Sequence, residues 1–416
     1  MFQKIKGTQE FLDLDLWQFI VQASTEYLNL HNFNQIKLPV IESVDLFKRS
    51  VGLETDIVNK EMFIIEQRIG SNENICLKPE ATASTMRAFL ENSIQNLPWK
   101  VFSFDTLFRY ERPQRGRYRE FHQCNIEIIA SDSISQDVML ISLLDSLFST
   151  KLKITNYALV LNFLGCASDR TNFREVLTNF LQANSGICET CQKRSNTNPL
   201  RIFDCKSESC QAIYLNAPKI INHLCGPCNQ EWQQLQNQLE LLGVSFAIKP
   251  ELVRGLDYYH KTVFEFTSSH LGAQSSFCGG GRYELASQLG SKTPVPAIGA
   301  AFGMERVLLI LEQIQDKLIL PKKSALTVII PLSPTQNVLA LLVAQNLSQH
   351  GLTHDIILED HSSVKSKMRK ANKLGPVYCI LIGEHEQTTN SVTLKNMLSG
   401  EEQLIKQIDL VNILKQ

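Results

Sequence analysis

A chain of 416 residues, of which 44% are hydrophobic and 20% charged, is long enough for two or three globular domains and is neither fibrous nor disordered in composition. Its formal net charge of -1 excludes a protein that coats nucleic acid through bulk charge, so any RNA contact must come from local patches. It has no apolar run of signal or membrane-span length, and we therefore expect a cytoplasmic protein whose eleven cysteines are reduced thiols.

The N-terminal region begins with an amphipathic helix, because apolar residues recur at helical spacing from Phe11 to Leu30. The next segment, IKLPVIES, has the composition of a strand. Pro39 restricts that strand to a sheet edge or a bulge, since proline lacks a backbone donor. Residues 60–67 and 75–79 then predict a pair of strands.

A further helix is predicted behind Pro79, in the segment PEATASTMRAFLEN. Glu80 and Thr82 lie in its first turn. On these residues alone the favoured interpretation is a helix cap, because an acidic side chain there complements the free backbone N–H groups.

The segment Phe104–Ile129 predicts two strands joined by a loop that is dense in positive charge. Side chains alternate along a strand, so Arg109 and Glu111 share one face of the first. One face of the second strand carries Phe121, Gln123, Asn125 and Glu127. The arginines of the segment, five within eleven residues, are Arg109, Arg112, Arg115, Arg117 and Arg119.

This segment is either a solvated basic hairpin without a ligand or a platform that grips phosphate. In the second interpretation Gln123 and Glu127 hold a small polar molecule. The residues favour the platform, because aromatic side chains alternate with the charges and a buried carboxylate needs a partner. A planar guanidinium is suited to phosphate because it can donate two parallel hydrogen bonds.

A helix over residues 132–150 and a strand in TNYALVLNFLG precede a segment of different texture, residues 166–250. That segment combines polar helices with six clustered cysteines. They are Cys188, Cys191, Cys205, Cys210, Cys225 and Cys228. The two CxxC pairs have zinc-ligand spacing, and four thiolates would close a tetrahedral site, so a structural zinc stays open on these residues.

Three later segments contain residues that core packing alone does not explain. LVRGLDYYHKTVFEF predicts a turn into a strand, which accounts for two core tyrosines but not for Arg254. FCGGGRYEL has three consecutive glycines, which suit a tight turn or a close approach of the backbone to a ligand. AIGAAFGMERVLLILE predicts a strand and then a helix, and Arg306 in the first turn opposes the helix dipole and favours an anion nearby.

After LPKKS the pattern alternates between strands and helices, and it predicts a small α/β domain. Its strands are TVIIPL, THDIILED and VYCILIGE, with helices at 335–349 and 363–374. The second helix is basic: it contains Lys365, Lys367, Arg369, Lys370 and Lys373. Either a solvated face or an RNA contact fits these residues.

Several motifs together resemble the class II aminoacyl-tRNA synthetases, and specifically the histidyl-tRNA synthetase family. FRYERPQRGRYREFHQ resembles motif 2, RGLDYY resembles the histidine-A motif, GGRYE resembles the histidine-B motif and GMER resembles motif 3. The segment LKPEATA is similar to the family pattern L-R-P-E-G-T-A, from which Lys78 and Ala81 depart. The resemblance covers essentially the whole chain.

The resemblance implies an α+β catalytic domain built on an antiparallel sheet over residues 1–321, with a helical insertion at about 166–250. Residues 322–416 would form an α/β anticodon-binding domain. The implied activity is ATP-dependent activation of L-histidine and its transfer to tRNA(His), by a homodimer that uses Mg2+ with the nucleotide. The resemblance does not favour structural zinc. A non-catalytic, synthetase-like histidine-sensing regulatory subunit is the alternative.

The resemblance also implies roles for individual residues. Arg109 and Arg254 would flank the α-phosphate, and Glu127 and Tyr259 would meet the two imidazole nitrogens. The implied histidine-binding residues are Glu80, Thr82, Gln123, Glu127, Tyr258 and Tyr259. The implied ATP-binding residues are Arg109, Glu111, Arg117, Phe121 and Arg306, with Glu111 as a neighbour of the Mg2+.

Overall fold

The computed structural model describes residues 2–52, 55, 57–66, 73–184, 186–320, 324–359 and 362–415. The chain divides into two compact units, Met1–Leu320 and Pro321–Gln416. No helix among the described residues is long and apolar enough to cross a membrane. Part of the strand predicted at 60–67 and part of the linker LPKKS lie outside the described residues.

The first unit is built on one large sheet and one small sheet. In chain order its strands are β1 (Asn34–Gln35), β2 (Ile41–Ser43), β3 (Phe63–Ile64), β4 (Ile75–Leu77), β5 (Trp99–Phe108), β6 (Glu120–Ile129), β7 (Ala158–Phe163), β8 (Ala247–Ile248), β9 (Tyr259–Thr267), β10 (Ser276–Glu284) and β11 (Pro296–Gly303).

The large sheet has the strand order β1-β5-β6-β11-β10-β9-β7-β8. Its central pairs are antiparallel, and only the short edge strands β1 and β8 pair in parallel. The predicted class II fold on an antiparallel sheet is therefore confirmed. The small sheet has the order β2-β4-β3, so the strands predicted around residues 64 and 76 do pair.

Helices of the first unit pack around the large sheet. In chain order they are α1 (Asp15–Leu30), α2 (Val44–Val51), α3 (Thr82–Glu91), α4 (Ile134–Ser146), α5 (Ala167–Ala183), α6 (Glu189–Thr197), α7 (Glu208–Tyr214), α8 (Gly226–Leu241) and α9 (Met304–Leu311). Helices α5 to α8 lie between β7 and β9, where the polar, cysteine-rich insertion was predicted.

The first helix begins later than its apolar pattern predicts. The Asp13 carboxylate accepts a hydrogen bond from the Asp15 backbone N–H at 3.0 Å, a local contact that favours a turn over helix. Phe11 therefore lies outside α1, where its ring contacts Trp17 at 5.0 Å between centroids. The helix predicted over 132–150 ends at Ser146 and continues as a wider turn, Leu147–Lys151.

One face of the large sheet carries the main core. Along β6, Cys124, Ile126 and Ile128 are fully buried and pack against helices α1, α4 and α9. The alternate side chains of the same strand point to the opposite face. Helices α1, α4 and α9 thus cover one face of the sheet, and the polar residues of β6 lie on the other.

The second unit is a smaller α/β structure. Its strands are β12 (Thr327–Pro331), β13 (His354–Ile356), β14 (Tyr378–Ile382), β15 (Ser391–Asn396) and β16 (Glu402–Lys406). Its helices are α10 (Asn337–Gln349), α11 (Val364–Leu374), α12 (Glu384–Thr389) and α13 (Leu410–Leu414). The sheet order is β13-β12-β14-β15-β16.

The three predicted strands of the second unit pair in parallel, as the alternation of strands and helices requires. Two antiparallel strands, β15 and β16, extend the sheet and were not predicted. Among the five residues of β16 only Ile405 is buried, so this edge strand has little of the apolar alternation that marks a strand in sequence.

Candidate active site

A cavity of about 500 Å³ lies on the sheet face opposite the main core of the first unit. Strands β6, β11, β10 and β9 are neighbours in the sheet and form its floor. All the predicted site residues except Glu127 line this cavity. They are Glu80, Thr82, Arg109, Glu111, Arg117, Phe121, Gln123, Arg254, Tyr258, Tyr259 and Arg306.

Arg109 directly follows β5 and is held from two sides. Its Nε donates to the Pro79 carbonyl at 2.9 Å, and its guanidinium lies 5.2 Å from the centre of the Phe121 ring. Burial lowers the pKa of Arg109, while the charges of Glu61 and Glu80 act in the opposite direction. The group therefore sits in a site where an additional anion would stabilise its charge.

Arg254 precedes β9 and reaches the same cavity from a distant part of the chain. It forms an ion pair with Glu265, and its guanidinium lies 5.8 Å from the centre of the Tyr259 ring. Glu265 was not predicted as a site residue, although its position in TVFEF puts it on the face opposite Phe264 and Phe266. Its carboxylate fixes the direction of Arg254.

The position of Arg254 explains why residue 279, one member of the glycine run, is a glycine. A Cβ at this position would overlap the Arg254 guanidinium, so the arginine can lie flat on β10 only because residue 279 is glycine. A Cβ at Gly280 would overlap the backbone of Gly299 and Ala300. The glycines thus allow close packing of protein groups, in addition to the approach to a ligand that the sequence predicts.

Arg306 lies in the first turn of α9 and is anchored by two backbone carbonyls. Its Nε donates to Gly116 at 3.0 Å, and a terminal nitrogen donates to Ser276. Burial, together with the positive charges of Arg117 and Arg109, lowers the pKa of Arg306 to about 10. Three arginines on one wall repel each other, and a polyanion such as a triphosphate would remove that repulsion.

The other end of the cavity is aromatic and acidic. Tyr258 and Tyr259 are buried, with ring centres 4.6 Å apart, and Tyr258 lies 5.6 Å from the ring of Tyr283. Tyr283 belongs to the GGRYE segment but was not predicted as a site residue. Aromatic side chains at this end would enclose a flat, partly apolar ring such as imidazole.

Glu127 does not line the cavity wall in this structure. It lies behind Thr82, whose hydroxyl donates to one carboxylate oxygen at 2.7 Å, while the Tyr283 hydroxyl donates to the other at 2.8 Å. Burial raises the pKa of Glu127 from 4.5 to about 8, despite these two hydrogen bonds. A Cβ at Gly299 would overlap the carboxylate, so glycine is required behind it.

Glu80 caps helix α3, as the residues alone favoured. Its two carboxylate oxygens accept the backbone N–H groups of Thr82 at 2.8 Å and Ala83 at 2.9 Å. The same side chain lines the cavity, so a cap and a ligand contact are compatible here. Burial raises the pKa of Glu80 in spite of the two backbone donors.

The remaining arginines of the hairpin loop do not line the cavity. Arg112 and Arg115 are exposed, and Arg119 stacks on Tyr110 with 3.8 Å between its guanidinium and the ring centre. Only Arg109 and Arg117 of the five reach the cavity. Arg117 is ion-paired with Glu111.

Two other charged residues of the motifs are structural. Lys78 is buried and pairs with Asp105, so its amine lies away from the cavity. Arg282 of GGRYE is also buried, where it pairs with Asp137 and donates to the Ser131 carbonyl at 2.7 Å. The Lys78 pair ties the end of β4 to β5, and the Arg282 pair ties β10 to helix α4.

The insertion contributes two residues to the cavity that the sequence did not indicate. Asp204 and Lys206 lie between α6 and α7 and line the same wall as Arg254. They flank Cys205. No local pattern could show that this segment, some fifty residues before Arg254 in the chain, returns to the face of the sheet that carries the cavity.

Comparison with known proteins shows the family to which the chain belongs. The family model of the tRNA synthetase class II core domain (G, H, P, S and T) matches residues 63–315, and that of the anticodon binding domain matches residues 327–416. A histidine–tRNA ligase of Acetivibrio thermocellus is 39% identical over 99% of this chain and 99% of its own length. The chain belongs to the histidine–tRNA ligase family. A second ligase, from Halothermothrix orenii, is 38% identical over 96% of this chain and 94% of its own.

Solved structures extend the family likeness to the fold. Apo histidyl-tRNA synthetase of S. aureus has a TM-score of 0.81 and 28% identity over the full length of both chains. A Bacillus halodurans structure described as an ATP phosphoribosyltransferase regulatory subunit/histidyl-tRNA synthetase has a TM-score of 0.61 at 19% identity, over 92% of this chain and 97% of its own, which shows the fold alone. The regulatory alternative is therefore not favoured over membership of the ligases.

Proposed function

We propose that this protein joins L-histidine to tRNA(His) in two steps at the cavity of the first unit. In the first step a histidine carboxylate oxygen attacks the α-phosphorus of ATP, which forms histidyl-adenylate and releases pyrophosphate. In the second step the terminal ribose hydroxyl of the tRNA attacks the acyl carbon, and AMP leaves. Family membership and the arrangement of charged groups in the cavity both support this proposal.

The observation that carries the proposal is that Arg109, Arg254 and Arg306, which come from three distant parts of the sequence, line one cavity. In-line displacement at phosphorus needs positioning and neutralisation of charge rather than a covalent nucleophile. Arg109 and Arg254 would flank the α-phosphate, where charge develops in the transition state.

Arg306 and Phe121 would bind the rest of the nucleotide. The Arg306 guanidinium is planar and anchored by two backbone carbonyls, so its face and its remaining donors are available for adenine and the terminal phosphates. Arg117 adds charge to the same wall. Mg2+ would enter with the phosphates, and the Glu111 carboxylate on this wall is a hard oxygen donor of the type that Mg2+ prefers.

Histidine would be bound at the aromatic end of the cavity. Glu80 and Thr82 would hold its α-amino group, Gln123 would contribute a polar contact, and Tyr258 and Tyr259 would enclose the ring. Glu127 would meet one ring nitrogen once Thr82 gives up its hydrogen bond, and Tyr259 would meet the other. A pocket that pairs both nitrogens leaves its own polar groups unpaired with any other amino acid, which discriminates strongly.

The second unit would bind the tRNA anticodon region. On helix α11 the exposed residues Lys365, Arg369 and Lys373 are spaced by four and form a basic stripe. Lys367 belongs to another face, because it is buried and donates to the Pro331 carbonyl at 2.7 Å. We also propose that the enzyme acts in the cytoplasm as a homodimer, as the family resemblance implies.

Aminoacylation of total tRNA with each labelled amino acid in turn tests this function. We expect charging with histidine alone, and histidine-dependent exchange of pyrophosphate into ATP. Binding of histidine without any pyrophosphate exchange would instead indicate the regulatory alternative. Charging with a different amino acid would overturn the histidine pocket while leaving the ligase chemistry in place.

A further inference from the structure

The cysteines of the insertion form two separate clusters. The first consists of Cys188, Cys191, Cys205 and Cys210, whose sulfur atoms all lie within 4.8 Å of one another. The second consists of Cys166, Asp169, Cys225 and Cys228. Its three sulfur atoms and one Asp169 carboxylate oxygen also lie within 4.8 Å of one another. The two CxxC pairs therefore do not share a site, contrary to the arrangement that their spacing alone suggests.

The first cluster has the dimensions of a tetrahedral thiolate site. Zinc–sulfur bonds of about 2.3 Å in a tetrahedron put sulfur atoms about 3.8 Å apart. The Cys188 and Cys205 sulfurs are 3.8 Å apart. The ligand spacings, Cx2C and Cx4C, are those of structural zinc sites.

Burial and hydrogen bonding also fit thiolates in the first cluster. Cys191 and Cys210 are completely buried. The Cys188 backbone N–H donates to the Cys210 sulfur at 3.2 Å, and the Ser207 backbone N–H donates to the Cys205 sulfur at 3.4 Å. Backbone donors of this kind surround ligating sulfurs and stabilise their negative charge.

A separate set of contacts supports a metal site in the second cluster. Both oxygens of Asp169 accept backbone N–H groups of ligand cysteines, from Cys225 at 2.9 Å and from Cys166 at 3.2 Å. A carboxylate has about four acceptor positions, so a metal bond remains available to it. The cluster joins the start of α5 to the start of α8, with ligands at Cx2D and Cx2C spacing.

We propose that the insertion binds two zinc ions, one in the four-cysteine cluster and one in the three-cysteine and aspartate cluster. Both sites have four protein ligands, so each is closed and structural rather than catalytic. Zinc, with its preference for thiolate and its tolerance of one carboxylate, fits both donor sets.

The first zinc would also support the active site. Just before Cys205, Asn198 donates to Asp257 at 2.9 Å and Arg201 donates to the Gly255 carbonyl at 3.3 Å, so this segment braces the loop that carries Arg254. Asp204 and Lys206, on either side of the ligand Cys205, line the cavity itself. This positioning role rests on the proposed function, whereas metal content does not.

Metal analysis of the full-length, tag-free protein tests the proposal directly. We expect about two equivalents of zinc per chain, because each cluster would hold one ion. Less than about a tenth of an equivalent would overturn both sites. Substitution with Co2+ gives a second readout that needs no mutation, since tetrahedral thiolate ligation produces strong sulfur-to-metal charge-transfer absorption; a spectrum typical of six oxygen ligands would overturn the proposal.

Single variants assign the metals to their clusters. Cys210→Ala and Cys228→Ala should each lower the zinc content by about one equivalent. Cys379→Ala, a buried thiol in the second unit, is the matched control and should leave the content unchanged. If a cluster variant retains both metals, the site that it belongs to is wrong.

Kinetics separate the positioning role from simple stability. Zinc removal from the first cluster, or Cys210→Ala, should lower the rate of adenylate formation by up to about 100-fold, because a displacement near 1 Å of Arg254 is enough for such a loss. Restored zinc should recover the wild-type rate. An unchanged single-turnover rate in a zinc-free but folded protein would overturn the positioning role and leave the metal sites intact.

Discussion

At the residue scale, the proposed active site depends on how a few ionisable side chains are held. Arg254 is directed by the Glu265 carboxylate, and Glu127 is held by two hydroxyl groups. Neither of these contacts was predicted from the sequence. Each makes a distinct prediction, one about rate and one about pH.

Replacement of Arg254 by alanine should lower the rate of histidyl-adenylate formation by about two to four powers of ten, as for loss of other groups that stabilise developing negative charge. Single-turnover measurement of pyrophosphate release checks this. Arg112→Ala is the control, because that arginine lies exposed in the hairpin loop. An equal rate in wild type and Arg254→Ala would remove this residue from the reaction.

Glu127→Gln should change the dependence of stability on pH. The pKa of Glu127 is raised from 4.5 to about 8, so between these values the folded protein keeps a proton that the unfolded chain has released. Wild-type stability should therefore fall relative to the variant as the pH rises through this window, by at most about 1.4 kcal/mol per pH unit.

Urea unfolding of both proteins from pH 4 to 9 measures this difference, and Glu91→Gln, on the exposed end of α3, serves as the control. A difference in stability that does not change with pH would contradict the raised pKa. The same variant should raise the KM for histidine, because it removes the acidic partner of a ring nitrogen.

At the scale of elements, strand β10 is packed so closely that replacing glycine by alanine has different consequences at two adjacent positions. At Gly279 a Cβ would meet only the end of the Arg254 side chain, whereas at Gly280 it would meet the backbone of the neighbouring strand. The first clash can be relieved by movement of a side chain. The second requires the sheet to open.

We expect Gly279→Ala to fold with a free energy of unfolding within about 1 kcal/mol of wild type, since only a flexible side chain must move. Its rate of adenylate formation should fall by up to about 100-fold, because the Arg254 guanidinium is displaced. Gly280→Ala should unfold or remain insoluble. Full activity in Gly279→Ala would show that the reaction does not require the Arg254 guanidinium to lie against β10.

At the scale of the whole molecule, the second unit should affect tRNA binding separately from adenylate formation. Replacement of Lys365, Arg369 and Lys373 together by alanine should weaken tRNA binding and reduce its salt dependence, by a slope of roughly 0.7 to 0.9 for each phosphate that the variant no longer neutralises. Lys406→Ala, exposed on β16, is the matched control. Affinity should be measured over a range of salt concentrations.

Pyrophosphate exchange should be unaffected by the triple change, because adenylate formation uses only the cavity of the first unit. A tRNA affinity and salt slope equal to those of wild type would assign α11 to a solvated surface instead.

The part of the cavity that one contiguous strand supplies could be predicted from the sequence. Alternation along β6 put Phe121, Gln123 and Asn125 on one face, and all three line the cavity. Contacts between residues far apart in sequence could not be predicted. Asp204 reaches the cavity wall near Arg254 only through tertiary packing, and the two cysteine clusters depend on Cys166 and Asp169, which lie outside both CxxC motifs.

Charge runs were informative only in part. Of the loop arginines, Arg112 and Arg115 are exposed, and on α11 the buried Lys367 is used inside the unit. A sequence shows how many charges a segment has, but the direction of each side chain is set by the neighbours with which it packs. Arg282 is a further example: it lies within the GGRYE motif, but its side chain forms an ion pair with Asp137.

The carbonyl groups of Gly116 and Ser276 hold Arg306 through contacts within the protein itself. The conformational entropy of that long side chain is therefore lost when the chain folds. Nucleotide binding does not have to order the side chain, so it avoids this entropic cost. Mutual repulsion among the cavity's arginines remains as stored electrostatic energy until an anion enters. A non-hydrolysable ATP analogue should accordingly raise the melting temperature, and the increase should shrink as ionic strength screens that repulsion.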